Sequence, residues 1–258
     1  TEGAPVYRGV SPVSVDTARP AVGQFEVWGE RGGAARVAYD RAVGDGNFMA
    51  MRRAAYADTE KSAKLQRLRE LVAEAAGNGV KVVVFSYFRD VLAAVQQVLE
   101  RPQERPLERP LEKRLFGPIT GSVPAARRQQ LVDDFTQAPG HAVLLSQIEA
   151  GGVGLNLQAA SLVILCEPQV KPTVEHQAVA RVHRMGQTRT VQVHHMLATD
   201  SVDDRLLTIL KDKDRLFDAF ARRSALADAT PDAIDISDAT LARRIVEEEQ
   251  RRLAAGPN

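Results

Sequence analysis

The chain of 258 residues predicts an α/β fold, a mostly parallel sheet with helices on both faces. Three observations predict it. Short β-branched runs recur near residues 80, 116, 141, 161 and 190, and helical apolar spacing fills the intervals between them. The strongest run, Val80-Lys-Val-Val-Val-Phe85-Ser86, is nearly continuous in apolar residues, as a strand buried on both faces must be. Glycines and prolines sit at the junctions rather than inside the runs.

Taken in order, residues 1–46 are rich in Gly, Pro and small polar residues. They predict an irregular linker, with one short strand around Phe25-Glu-Val-Trp28. Residues 47–221 form the folded lobe. From Asn47 to Ala76 the pattern is helical and puts Leu65, Leu68, Leu71 and Val72 on one face. The strand ending at Ser86 comes next, then a helix from Asp90 to Glu100. Residues 101–112 repeat Arg-Pro-(Gln/Leu)-Glu three times. A proline every fourth residue forbids a regular helix, so this is an extended surface insertion.

A strand and turn over Phe116–Gly121 lead to a helix from Ala125 to Thr136, with Ser122 placed to cap it and Pro124 in its first turn. Arg128 reads as either structural or phosphate-facing, and its context does not choose. The strand His141–Leu145 runs into the glycine-rich Ala150-Gly-Gly-Val-Gly-Leu-Asn156-Leu. Such a turn at a strand's C-terminal end lets backbone N–H groups approach an anion. The buried strand Ser161–Cys166 ends at Glu167-Pro-Gln-Val-Lys171-Pro. A helix starting near Thr173 and the strand Thr190–Leu197 complete the alternation. His194 and His195 point to opposite faces of that last strand and have no further ligand at metal spacing. Ser201-Val-Asp-Asp caps a helix that continues towards Phe220. Residues 222–258 form a C-terminal extension with one amphipathic helix, Ala239 to Leu253.

Composition bounds the function. A hydrophobic content of 44% suits a globular core, and a formal net charge of +1 excludes a global attraction to nucleic acid. Any DNA contact therefore rests on a local groove. The single cysteine, Cys166, excludes an intramolecular disulfide, suits a reducing cytoplasm and belongs in the core. No apolar run approaches a membrane span. The start, Thr1-Glu-Gly-Ala, lacks an initiator Met and a signal core, so the chain is expected to be a piece of a longer one.

The most informative stretch is Gln177-Ala-Val-Ala-Arg181-Val-His-Arg184-Met-Gly-Gln187. Helical spacing puts Gln177, Arg181 and Arg184 on one face. One amide and two planar guanidiniums make a face suited to a phosphoryl group. The stretch resembles motif six of superfamily-two helicases. In its longer form, ending Arg-x-x-Arg-x-Gly-Gln, it is similar to the Swi/Snf-type ATPases that translocate along duplex DNA. Four more segments carry the likeness: Ser62-Ala-Lys-Leu65, Phe85-Ser-Tyr-Phe88, the run Gly121–Phe135, and the glycine string.

The resemblance covers roughly residues 60 to 220 and implies the second RecA-like lobe of a bacterial member of that family. It implies that Arg181 and Arg184 are arginine fingers, that Gln177, Gly152 and Gly154 bind ATP, and that Ser86, Asn156 and Lys171 touch DNA phosphates. For Ser86 a plain turn role stands equally open. The chain departs from the pattern at Ala180, at Gln147-Ile148-Glu149 and at Val170-Lys171, where relatives carry Asp or Gly, Ser-Thr-(Lys/Arg), and Trp-Asn. Glu149 repels a phosphate that it faces, and Lys171 is placed to compensate.

Neither a Gly-Lys-(Ser/Thr) phosphate loop nor an Asp-Glu pair occurs in the sequence. ATP and Mg2+ are therefore expected to be held mainly by a first lobe elsewhere in the parent chain, and this fragment alone is expected to be inactive. The implied partners are double-stranded DNA, that first lobe and a possible protein cargo, in the nucleoid. Other readings are a lobe of an RNA helicase or RNA-polymerase-associated remodeller, a motor of a defence or repair system, and a non-catalytic nucleic-acid-binding module.

Overall fold

The computed structural model describes residues 6–10, 22–29, 33–101, 114–150, 155–184, 187, 189–210 and 238–255. One sheet of seven strands runs through it in the order β1-β2-β7-β6-β3-β5-β4. The strands are β1 (Val6–Val10), β2 (Val22–Gly29), β3 (Val82–Ser86), β4 (Leu115–Ile119), β5 (Val143–Gln147), β6 (Leu162–Leu165) and β7 (Val191–Ala198). All neighbours are parallel except β1, which lies antiparallel on the edge of β2. The helices are α1 (Gly33–Gly44), α2 (Phe48–Arg53) with a 3-10 turn over Ala54–Tyr56, α3 (Ala63–Gly77), α4 (Arg89–Glu100), α5 (Ala125–Gln137), α6 (Pro172–Val182), α7 (residues 202–210) and α8 (Asp238–Ala254).

The two-residue period of the strands divides the core into two layers. Val82 and Val84 of β3 point to one face, where they meet Leu65, Leu68 and Val72 of α3 and Leu92 and Val95 of α4. Val83 and Phe85 point to the other, against Val132 and Phe135 of α5 and Ala178 and Val182 of α6. Burial on both faces explains why β3 reads as an unbroken apolar run. Ser62 accepts a hydrogen bond from the Leu65 N–H at 3.2 Å and so starts α3. The turn after α3 needs Gly79 at φ +63°. Gly117, at φ +97°, sits where a Cβ would run into the Leu145 carbonyl, so β4 reaches β5 only as glycine there.

Two sequence expectations change. Residues 1–46 do not form an irregular linker throughout. β2 pairs in parallel with β7 along its whole length, and Phe25 stacks on His194 with ring centroids 4.8 Å apart. α1 then packs its Tyr39 and Val43 against Leu241 and Ile245 of α8 in a third apolar cluster. The strand's partner lies some 170 residues away in sequence, so no local pattern reveals the pairing. Ser122 does not cap α5 either: its hydroxyl meets that of Thr120 at 2.9 Å, and Pro124 stands at the cap position. Most of the tetrapeptide insertion lies outside the described residues.

The C-terminal helix α8, to which the sequence assigned no role, is held by a buried carboxylate. Glu249 accepts from Tyr39 Oη at 2.8 Å (α1), Arg205 Nε at 3.1 Å (α7) and Arg252 Nη2 at 2.7 Å. Burial pushes this carboxyl up, yet the three donors hold it below its ordinary value, so it stays ionised. No described helix is long and apolar enough to cross a membrane.

Candidate functional site

In an open α/β sheet, ligands meet the crevice at the strands' C-terminal ends where the strand order reverses. Here that point lies between β3 and β6: the chain leaves β3 towards β4 on one side and returns through β5 to β6 on the other. Ser86 ends β3, and Glu167 follows β6 by two residues. They meet. The Ser86 hydroxyl donates to Glu167 Oε2 at 2.9 Å, and the Tyr87 N–H donates to Oε1. The hydroxyl also accepts the Phe88 N–H at 3.0 Å. With 0% exposure, Ser86 is closed to a DNA phosphate, which corrects the DNA contact expected of it. Its role is the turn at the strand end and the anchoring of Glu167.

Arg52 of α2 completes this plug. Its guanidinium lies over the rings of Phe48, Tyr87 and Phe88 at 5.8, 5.6 and 5.2 Å and donates to the Pro168 carbonyl at 2.8 Å. Burial pushes the Glu167 carboxyl up, against the Tyr87 N–H, the Arg52 charge and the Ser86 hydroxyl, which hold it down. Gln169 links this acid to a second one: its amide donates to the Glu167 carbonyl at 2.9 Å and its N–H to Glu175 Oε1 at 2.6 Å. Burial pushes Glu175 up to about 7 and His195 down to about 4, so their 3.6 Å contact joins two neutral groups between those values.

A pH prediction follows from Glu175. As pH rises from its ordinary 4.5 to about 7, the unfolded glutamate ionises while the folded one keeps its proton, so folding weakens. Glu175→Gln keeps the acceptor for Gln169 and removes that cost. In urea titrations the variant is expected to gain stability relative to wild type across this window, with the difference flat above it. A pH-independent difference contradicts the assignment.

Beside the plug lies an open cleft of about 650 Å3, lined among others by Phe48, Arg52, Tyr87, Glu149, Val170 and Lys171. Glu149 and Lys171 thus line the same cleft. Lys171 Nζ lies 3.0 Å from Asp238 Oδ2 at the start of α8, both side chains exposed. A pair of that kind is worth little and opens readily.

The arginine segment differs from its expected form in one respect. α6 ends at Val182 and His183 breaks it at φ −94°, ψ 82°, so Arg184 lies in the following loop rather than on the helical face with Arg181. Gln177 is exposed on α6, Arg181 is half-buried, and Arg184 is exposed. Burial pushes the Arg181 guanidinium down, and its buried Nη1 has no hydrogen-bond partner among the described residues. A buried donor without an acceptor is rare enough to need a reason. Asn156 is exposed, and its Oδ1 accepts the Gln158 N–H at 3.2 Å. Gly152 and Gly154 lie outside the described residues. The described residues contain no His, Cys, Asp and Glu cluster fit for a metal ion.

Two residues had no role of their own from the sequence. Arg52 lies in a stretch whose signal is its apolar period, and Gln187 at the end of one whose signal is its arginines. Arg128, left undecided above, is structural: it donates to the carbonyls of Val123, Ala150 and Gly121 at 2.6, 2.8 and 2.9 Å. It thereby fixes the residue that precedes the glycine string.

The parallel sheet finds a counterpart among known proteins. Residues 63–186 match the helicase conserved C-terminal domain. The chain is similar to the DNA repair protein RAD5B of Arabidopsis thaliana, 33% identical over 159 residues, covering 62% of this chain and 12% of that protein. It is 31% identical over 159 residues to the ATP-dependent helicase MG018 of Mycoplasma genitalium, covering 62% of this chain and 14% of that protein. The chain thus spans a small part of each relative's length. In fold it is similar to the Sulfolobus solfataricus SWI2/SNF2 ATPase core in complex with dsDNA. That likeness has a TM-score of 0.62 at 20% identity and covers 89% of this chain and 49% of that one. A RecA-like α/β arrangement is therefore the fold of the described residues.

Proposed function

We propose that the chain is the second RecA-like lobe of a Swi/Snf-type ATP-dependent translocase of double-stranded DNA, in the bacterial branch of that family. The observation that carries this reading is Arg181, a half-buried guanidinium whose Nη1 lacks an acceptor among the described residues, placed at the end of α6 with Arg184 in the adjoining loop. An unfilled planar donor of permanent charge fits a phosphoryl oxygen. The helicase domain match over residues 63–186 supports the same assignment.

In this reading Arg181 and Arg184 are arginine fingers that neutralise charge on the transferred phosphoryl group. Gln177, Gly152 and Gly154 contribute to the nucleotide face. ATP with Mg2+ supplies the phosphoanhydride whose cleavage drives movement. A first lobe of the parent chain holds most of both, because this lobe carries no phosphate loop and no Asp-Glu pair. Asn156 and Lys171 grip DNA through phosphates, which gives position without sequence preference. Ser86, Glu167 and Arg52 form a buried plug beside the cleft that Lys171 lines. The protein works in the nucleoid, with or without a protein cargo.

Displacement of a third strand from a triplex tests it. The two-lobed protein with ATP is expected to strip the third strand as it tracks along the duplex. Displacement without ATP, or none with it, contradicts translocation. Unwinding of RNA duplexes in its place favours the RNA-helicase reading.

A further inference from the structure

We propose that Arg52 is a positioning residue for DNA engagement, holding the segment 167–171 so that Lys171 meets a backbone phosphate, an inference that rests on the translocase reading above. Arg52 belongs to α2, outside the residues 63–186 that match the helicase domain. It is only 3% exposed and is caged by the rings of Phe48, Tyr87 and Phe88. Its Nη2 donates to the Pro168 carbonyl at 2.8 Å, and its Nη1 meets the Met49 sulfur at 3.9 Å. Its Nε has no partner among the described residues. Burying a guanidinium is costly unless its bonds offset the loss of water. Here the shortest of those bonds fixes a stretch of backbone rather than another side chain.

That backbone leads directly to Lys171. Three more bonds hold it: the Gln169 amide donates to the Glu167 carbonyl at 2.9 Å, the Gln169 N–H to Glu175 Oε1 at 2.6 Å, and the Val174 N–H to the Lys171 carbonyl at 3.0 Å. The last two tie the segment to α6, and the Arg52 bond ties it to α2. Pro168 and Pro172 fix φ on either side of Lys171. The Lys171 side chain itself is 63% exposed and lines the same cleft as Arg52. Its pair with Asp238 opens readily, so a phosphate competes for the ammonium. Lysine offers a point charge on a flexible stem, so the placing of its backbone decides how well that charge meets a phosphate. Once Arg52 is gone the tie to α2 is lost, and the segment must be ordered at the moment of binding instead.

The test is binding of a mixed-sequence DNA duplex by the two-lobed protein over a series of salt concentrations, in wild type, Lys171→Met, Arg52→Met and the double variant. Each phosphate contact adds about 0.9 to the slope of log affinity against log salt. Lys171→Met is expected to lose about one such increment, and Arg52→Met most of the same one. In the Lys171→Met background, Arg52→Met is expected to take away nothing further. Unfolding midpoints measured alongside separate this from a merely structural role, which lowers the midpoint and leaves the slope alone. Where Arg52→Met does not fold, Arg52→Lys keeps the charge beside Glu167, gives up the planar fork, and is read in the same way. A wild-type slope in the Arg52 variant, or a further loss in the double variant, overturns the positioning role. An unchanged slope in Lys171→Met overturns the Lys171 contact and the proposal with it. A wild type that binds no duplex overturns the translocase reading as well.

Discussion

Arg184→Ala in the two-lobed protein is expected to lower duplex-stimulated ATP hydrolysis by about a thousandfold, the lower end of what an arginine finger contributes. The residue is exposed and lies past the end of α6, so its removal leaves the lobe's packing intact. Unfolding midpoints should therefore match wild type. Lysine in its place restores the charge but not the planar fork, and is expected to recover only a small part of the rate. Loss of duplex affinity with an unchanged maximal rate would move Arg184 from the ATP face to the DNA face. The loss for Arg181→Ala is expected to be similar in rate but accompanied by a stability change, because its stem is half-buried.

The largest stability effect is expected at Lys64. Its ammonium lies 2.7 Å from Asp203, with side-chain exposures of 2% and 3%, and it also donates to the Cys166 carbonyl at 3.3 Å. Asp203 in turn accepts the Ala198 N–H at 3.0 Å. The pair joins α3 to the start of α7 across the end of β6, and Tyr56 closes it by donating its hydroxyl to the Cys166 carbonyl and presenting its ring 5.1 Å from the ammonium. Lys64→Ala leaves a buried carboxylate without its counter-charge, and such a loss costs about 3–5 kcal/mol. Replacing both, as Lys64→Met with Asp203→Leu, removes the two charges together and is expected to cost much less than the single changes summed. Urea midpoints of the four proteins measure this, and additive costs would show that the two groups act independently.

These two sites show how far the sequence carried. Ser201-Val-Asp203-Asp was legible as a helix start because a cap is a local signal, whereas Ser62 fell inside one helical stretch, Asn47 to Ala76, which the structure divides into α2, a 3-10 turn and α3. That Lys64 and Asp203 form one buried pair was not legible, since 139 residues separate them. β3 to β7 were legible for the same local reason, each having its own apolar run. β2 was seen only as a short strand, because its register depends on β7 and its own polar residues alternate with apolar ones. Among candidate site residues, the arginines were found by their spacing, but the end of α6 at Val182 was not, because nothing in Val-His-Arg-Met forbids a helix. The DNA contact of Ser86 was implied by resemblance beside an equally open turn role, and neither shows that Glu167 closes on it. The Cys166 thiol stood where an apolar run ends, and burial pushes its pKa far up, which keeps it protonated and inert.

ATP hydrolysis by the two-lobed protein, compared with no nucleic acid, duplex DNA and single-stranded RNA, tests the central claim most directly. The account predicts strong stimulation by duplex DNA and little by RNA, with no hydrolysis by this lobe on its own. Stimulation by RNA alone, or hydrolysis indifferent to every nucleic acid, would contradict it.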